Sequence, residues 1–190
     1  MNKVKFGLRN VFFSKITYGE DNAITYATPV AIPGAVNLSL SPSGDSSDFY
    51  ADDVVYFSDN ANQGYEGDLE IALIPDSFYE EILGFNIDEN GAIIESADAK
   101  SSAFALGFEV QGDEKNRRTW LLNCTAARPN QDAATSEASK TPSTETLTLR
   151  AMPRLSDKKV KITMTKNDTN ATVFESFFDE VYEEVLPEVG

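Results

Sequence analysis

Histidine is absent from the 190 residues, cysteine occurs once, and neither lysine nor arginine falls between Lys15 and Lys100. Each gap removes a class of chemistry. Without imidazole there is no Ser-His-Asp or Cys-His arrangement to activate a nucleophile, and zinc sites of the Cys/His type go with them. Cys124 cannot close an internal disulfide, so nothing points to an oxidising compartment; it is expected to pack as a small apolar group. No glycine-rich phosphate loop of the Walker or dinucleotide type occurs. No stretch approaches the run of about eighteen apolar residues that crosses a bilayer, and the opening Met1 to Gly7 lacks the apolar core of a signal peptide. Synthesis and initial folding are therefore expected in the cytosol.

What fills the base-free interval is acid: seventeen aspartates and glutamates, in a chain whose net charge is −15. Affinity for the nucleic-acid backbone comes from Lys and Arg displacing counterions, so this half of the chain cannot capture DNA and repels it at close range. Disorder is excluded by the apolar residues in the same interval, among them Phe49, Tyr50, Val54, Val55, Tyr56, Phe57, Leu69, Ile71, Leu73 and Ile74. A chain of this length forms one core and buries roughly 70% of its unfolded surface, and a single domain over residues 1–190 is expected.

Alternation of apolar and polar residues recurs along most of the chain, the pattern of half-buried antiparallel strands. From Tyr65 to Ile74 it sets Tyr65, Leu69, Ile71 and Leu73 on one face and Glu66, Asp68 and Glu70 on the other. Phe104, Leu106, Phe108 and Val110 alternate with Ala105, Gly107, Glu109 and Gln111; Val160, Ile162 and Met164 alternate with Lys161, Thr163 and Thr165. Further strands are predicted at 11–18, 24–32, 36–40, 54–58, 92–95, 118–125 and 146–151, with turns at Asn90-Gly91 and Gln111-Gly112-Asp113. Two helices interrupt them. One starts at Asp76 and Ser77, with Glu80 completing a capping box, Phe78, Ile82 and Leu83 facing inward and Gly84 as the stop. The other is capped by Thr172 and Glu175 and carries Phe174, Phe177, Phe178, Val181, Tyr182 and Val185 along one face. Residues 129–144 lack periodicity and form a long loop.

Three carboxylate groupings are candidates for chemistry. Asp59 to Glu70 has the length of a calcium loop, but Ala61 stands where an oxygen ligand is required and the flanks are strands. The adjacent pairs Asp52-Asp53 and Glu80-Glu81 diverge on any strand or helix and do not converge on one bond. The stripe Glu66, Asp68 and Glu70 is either an ordinary water-facing strand or a functional surface. No catalytic residue, cofactor or metal is expected.

Three further segments carry a resemblance. They are Ile32-Pro33-Gly34-Ala35-Val36-Asn37-Leu38-Ser39-Leu40, Phe49-Tyr50-Ala51-Asp52-Asp53, and the run from Asn62-Gln63-Gly64-Tyr65-Glu66-Gly67 to Pro75. With the opening Val4 to Val11, the stretch Leu122 to Pro129 and the strand Thr144 to Leu149, they closely resemble the major tail tube proteins of long-tailed, non-contractile bacteriophages. The resemblance covers nearly the whole chain. It implies a mainly β fold, an antiparallel sandwich or barrel with one flanking α-helix and a short C-terminal helix. It also implies a structural virion protein rather than an enzyme, whose hexameric rings stack into the tube that conducts the genome from head to host. Implied partners are other copies of the chain and the tape measure, distal tail and terminator proteins at the tube ends, while double-stranded DNA passes through without specific binding. The implied location is the virion tail, after assembly in the host cytoplasm. Glu66, Asp68 and Glu70 become candidate channel-lining residues. The competing class is a β-sandwich adhesion or carbohydrate-binding module of a phage or cell surface, in which Tyr56, Tyr65 or Trp120 stacks on sugar rings.

Overall fold

A computed structural model describes residues 2–20, 23–131, 135 and 142–185. Its strands are β1 (Lys5–Tyr18), β2 (Ile24–Tyr26), β3 (Val30–Ile32), β4 (Ala35–Ser43), β5 (Ser46–Ala51), β6 (Val54–Asn60) and β7 (Gly64–Ile71), then β8 (Asn86–Ile87), β9 (Ile93–Ile94), β10 (Phe104–Gly112), β11 (Arg117–Ala126), β12 (Glu145–Ala151) and β13 (Lys161–Thr165). Helix α1 (Asp76–Glu81) follows β7, and α2 (Ala171–Glu175) follows β13. The fold is mainly β and its ladders are antiparallel, as the alternation predicts. Most of the predicted 129–144 loop lies outside the described residues.

Nine strands form one sheet in the order β2, β1, β10, β11, β12, β7, β4, with β13 beside β11 and β3 beside β1. Only Pro33 and Gly34 separate β3, which pairs with β1, from β4, which pairs with β7. The two ends of the sheet are thereby linked by one stretch of chain, and the sheet curls into a barrel. Its interior holds Val11, Phe13, Leu69, Ile71, Phe104, Leu106, Leu121, Leu147 and Leu149. Helix α1 stoppers one end: Phe78 meets Phe13 and Phe104 edge-on, with ring centroids 5.2 and 5.4 Å apart. The other end is open.

A second apolar layer lies outside the barrel, where the C-terminal segment crosses β10 and β11. Phe177, Phe178 and Val181 bury against Ala105, Trp120 and Leu122. Trp120 donates its indole N–H to the Phe177 carbonyl at 2.8 Å, and Phe178 stacks on Phe12 at 5.0 Å. This layer explains why β10 departs from the expected half-burial: Ala105, Gly107 and Glu109 are buried as well as Phe104 and Leu106. Gly107 is required here, since a Cβ would sit 2.7 Å from the Trp120 ring.

Several expectations are corrected. The C-terminal helix ends at Glu175, and the chain continues in turns. Phe174, Phe177, Phe178 and Val181 remain on one buried side because bonds such as Asp179 N–H to Ser176 O preserve a three-residue recurrence. Val185 is exposed. The predicted capping boxes do not form. Pro75 stands at the start of α1 and Asn170 at the start of α2, neither with a side-chain cap bond, while Glu175 pairs with Lys166 at 2.6 Å. Gly84, at φ +75°, does end the first helical turn as expected. Leu73 lies beyond the end of β7 and is 68% exposed; Ile74 takes the buried place instead. Predicted strand 24–32 is split into β2 and β3.

Candidate assembly surface

The three candidate residues Glu66, Asp68 and Glu70 do share one face of β7, the face turned away from the barrel interior. Register sets the neighbours. On β12, Thr146 lies opposite Glu70, Thr148 opposite Asp68 and Arg150 opposite Glu66. On β4, the corresponding residues are Asn37, Ser39 and Ser41. The result is a three-strand polar panel with carboxylates down its centre line, hydroxyls and an amide on its flanks and a guanidinium at one corner. Thr148 donates to Asp68 at 2.8 Å and Thr144 to Glu70 at 2.6 Å, which holds two of the carboxylates in fixed directions.

Beyond the panel the same two strands run on. Ala61 N–H to Asp45 O (3.0 Å) and Gln63 N–H to Ser43 O (2.9 Å) continue the ladder into β5 and β6, so 35–71 is one long ribbon ending in a two-residue turn at Asp52 and Asp53. Gly64 marks the joint. Its φ is +107°, and a Cβ would lie 1.9 Å from the Ala151 carbonyl oxygen. Both turn residues have positive φ, 53° and 59°, the mirror-image turn geometry that matches strand twist. Asp, like Asn, enters that region more readily than most residues, and Gly does so without a Cβ penalty. The outer hairpin leaves Phe49, Tyr50, Val54, Val55, Tyr56 and Phe57 exposed, Tyr56 at 73%.

Those six residues fold into strands but stay outside the subunit's own core, unlike Leu69, Ile71 and Ile74 of the same interval. The signal was in the sequence: two runs of strand-forming residues separated by two aspartates spell a hairpin. The carbohydrate reading fares unevenly. Trp120 is fully buried, Tyr65 is half-buried beneath Lys161 Nζ at 4.3 Å from its ring, and Tyr56 alone of the three stands open.

Two buried ionic clusters tie the outer layer down, and neither was predicted. Glu109, on the outer side of β10, accepts from Arg9 at 2.9 and 2.6 Å, from Arg118 at 2.8 Å and from Asn10 at 3.2 Å. Burial pushes its carboxyl up, but the bonds from Arg118, Arg9 and Asn10 outweigh that and hold it below the ordinary glutamate range. Arg118 also donates to the Phe174 carbonyl and lies over the Phe174 ring at 4.4 Å. Arg154, buried, pairs with Asp157 at 2.5 Å, with Glu183 and with the Tyr26 hydroxyl at 3.2 Å. Its hydrogen bond holds Asp157 down at about 2, and burial pushes Tyr26 up to about 12.

Cys124 is fully buried, which pushes its thiol up to about 12 and leaves it an inert apolar group. Among the described residues no group of three or more acids and thiols is arranged to hold a metal ion. Asp59 falls in β6 and Glu70 in β7, so the apparent calcium loop is two strands and their connection. Asp52 and Asp53 meet at the hairpin turn, and Glu80 and Glu81 lie on α1.

No family model matches the chain, and no curated protein matches it either.

Proposed function

We propose that this chain is the repeating subunit of a tail tube: copies close side by side into hexameric rings, rings stack, and double-stranded DNA passes down the channel. The observation that carries the proposal is the ribbon 35–71, which joins a water-facing carboxylate panel to a hairpin with six uncovered apolar side chains. The six uncovered side chains are shared between the two faces of one hairpin, and so much exposed apolar surface marks an interaction site, so the hairpin favours an assembled end state. A panel of Glu66, Asp68 and Glu70 suits a channel wall, because carboxylates keep a passing polyanion hydrated and unattached. The close resemblance of the ribbon segments to phage tail tube proteins supports the same reading. The role is structural, without catalysis.

Electron microscopy of the concentrated purified protein tests it. Rings or tubes are expected, with copies in sixfold symmetry. Isolated monomers that bind glycans through the hairpin aromatics would establish the adhesion reading in its place.

A further inference from the structure

The open end of the barrel is a cavity of about 530 Å³. Its rim carries Lys3, Lys5, Arg117 and Lys161, its walls include Phe108 and Leu121, and no carboxylate lines it. That is a sharp local inversion of charge in a chain with thirty-one acids and sixteen bases. Among the described residues, none of the four bases forms an ion pair; Arg117 bonds the Thr165 hydroxyl and Lys161 the Tyr65 hydroxyl.

The hairpin is complementary to it in both respects. It carries Asp48, Asp52, Asp53 and Asp59 and no base, and its apolar side chains are uncovered. The six residues of β5, at about 3.3 Å each, carry the turn roughly 20 Å beyond Asp45.

We propose that the Asp52-Asp53 turn of one copy seats at the basic barrel mouth of a second copy, with the flanking aromatics covering the apolar walls. This rests on the assembly reading above and specifies its contact. Hairpin and mouth lie at the same end of the barrel, since Tyr65 at the ribbon's joint and Leu40 on β4 both line the cavity.

Sedimentation velocity of the full chain, read against concentration, tests the contact by charge exchange. Asp52→Lys with Asp53→Lys is expected to weaken self-association at least tenfold, and Lys5→Glu with Lys161→Glu to do the same. The fourfold variant, with both surfaces reversed, is expected to recover to within threefold of the wild type. Unchanged melting temperatures identify variants that still fold. Carbodiimide coupling of the wild type, which joins touching carboxylates and amines, is expected to give a peptide linking 52–53 to Lys3, Lys5 or Lys161 of another copy. Reversals that leave association unchanged, or a fourfold variant that stays dissociated, overturn the inference. So does a small anionic amphiphile that native mass spectrometry finds bound to the wild type and absent from the Lys5→Glu with Lys161→Glu variant. Tubes that form without the cross-link or the charge rescue sink this contact and leave the tube reading standing. Rescue without rings or tubes upholds the contact and sinks the tube.

Discussion

Glu109 is the residue on which the outer layer depends most directly. Its side chain has no solvent exposure, and two guanidiniums rely on it. Removing one partner of a buried ion pair strands the other charges, a loss of about 3 kcal/mol or more. Glu109→Ala is expected to destabilise the subunit by that amount in urea unfolding, whereas Glu66→Gln on the exposed panel is expected to change it by less than about 0.5 kcal/mol. Acid has a related effect. Glu109 and Asp157 both have folded pKa values below their unfolded ones, so their stabilisation is complete above about pH 4.5 and is lost as the pH falls through the folded values, near 2 for Asp157. Tyr26 works in the opposite direction. Raised to about 12 from 10.0, it stabilises the fold below pH 10 and that contribution disappears between pH 10 and 12. Thermal melts across both windows check these signs, with Tyr26→Phe expected to flatten the alkaline limb. Arg9 is 100 residues from Glu109 and no periodicity links them, so that pair was not legible; Arg118 lies opposite Glu109 across the predicted 111–113 turn, and that pair was within reach of the sequence.

At the scale of elements, legibility followed burial. Strands with one wet face, β7 and β12, were visible in the sequence because alternation reports a two-sided environment. In β10 the polar-looking side was misread, since Ala105, Gly107 and Glu109 pack under a segment some 70 residues away in sequence. Strand β5 was not predicted: Phe49 and Tyr50 favour a strand, but Ser46, Ser47 and Asp48 ahead of them do not, and pairing with β6 extends it over all six residues. The C-terminal helix was overextended because turns with bonds three residues apart show nearly the same apolar spacing as a helix. Its packing has a measurable weight. Phe177→Ala is expected to cost about 3 kcal/mol of subunit stability by opening a cavity against Trp120. Phe57→Ala, on the exposed hairpin, is expected to leave the melting temperature of the free subunit unchanged and to reduce assembly, as light scattering against concentration will read.

For the whole molecule the distribution of charge matters more than its sum. The panel on β7 is acidic, the barrel mouth is basic, and the ribbon connects the neighbourhoods of the two. If the panel lines a channel, replacing Glu66, Asp68 and Glu70 together by lysine leaves tubes assembled and slows DNA release, most strongly at low salt, where screening is weakest. Ejection followed by fluorescence at two ionic strengths checks this; equal rates at low salt would remove these residues from the wall. The fold class was legible at this scale, as was the grouping of the three carboxylates, since both depend on local alternation. Closure of the sheet through Pro33 and Gly34 was not, because it rests on which distant strands meet.

A barrel with a helix stopper at one end and an uncapped, charged opening at the other has a built-in direction. Any column made by repeating it parallel to itself inherits that polarity, with a top and a bottom of different chemistry. Proteins that start and finish such a column would then face unlike surfaces, and a neighbour suited to one terminus would find no matching seat at the other.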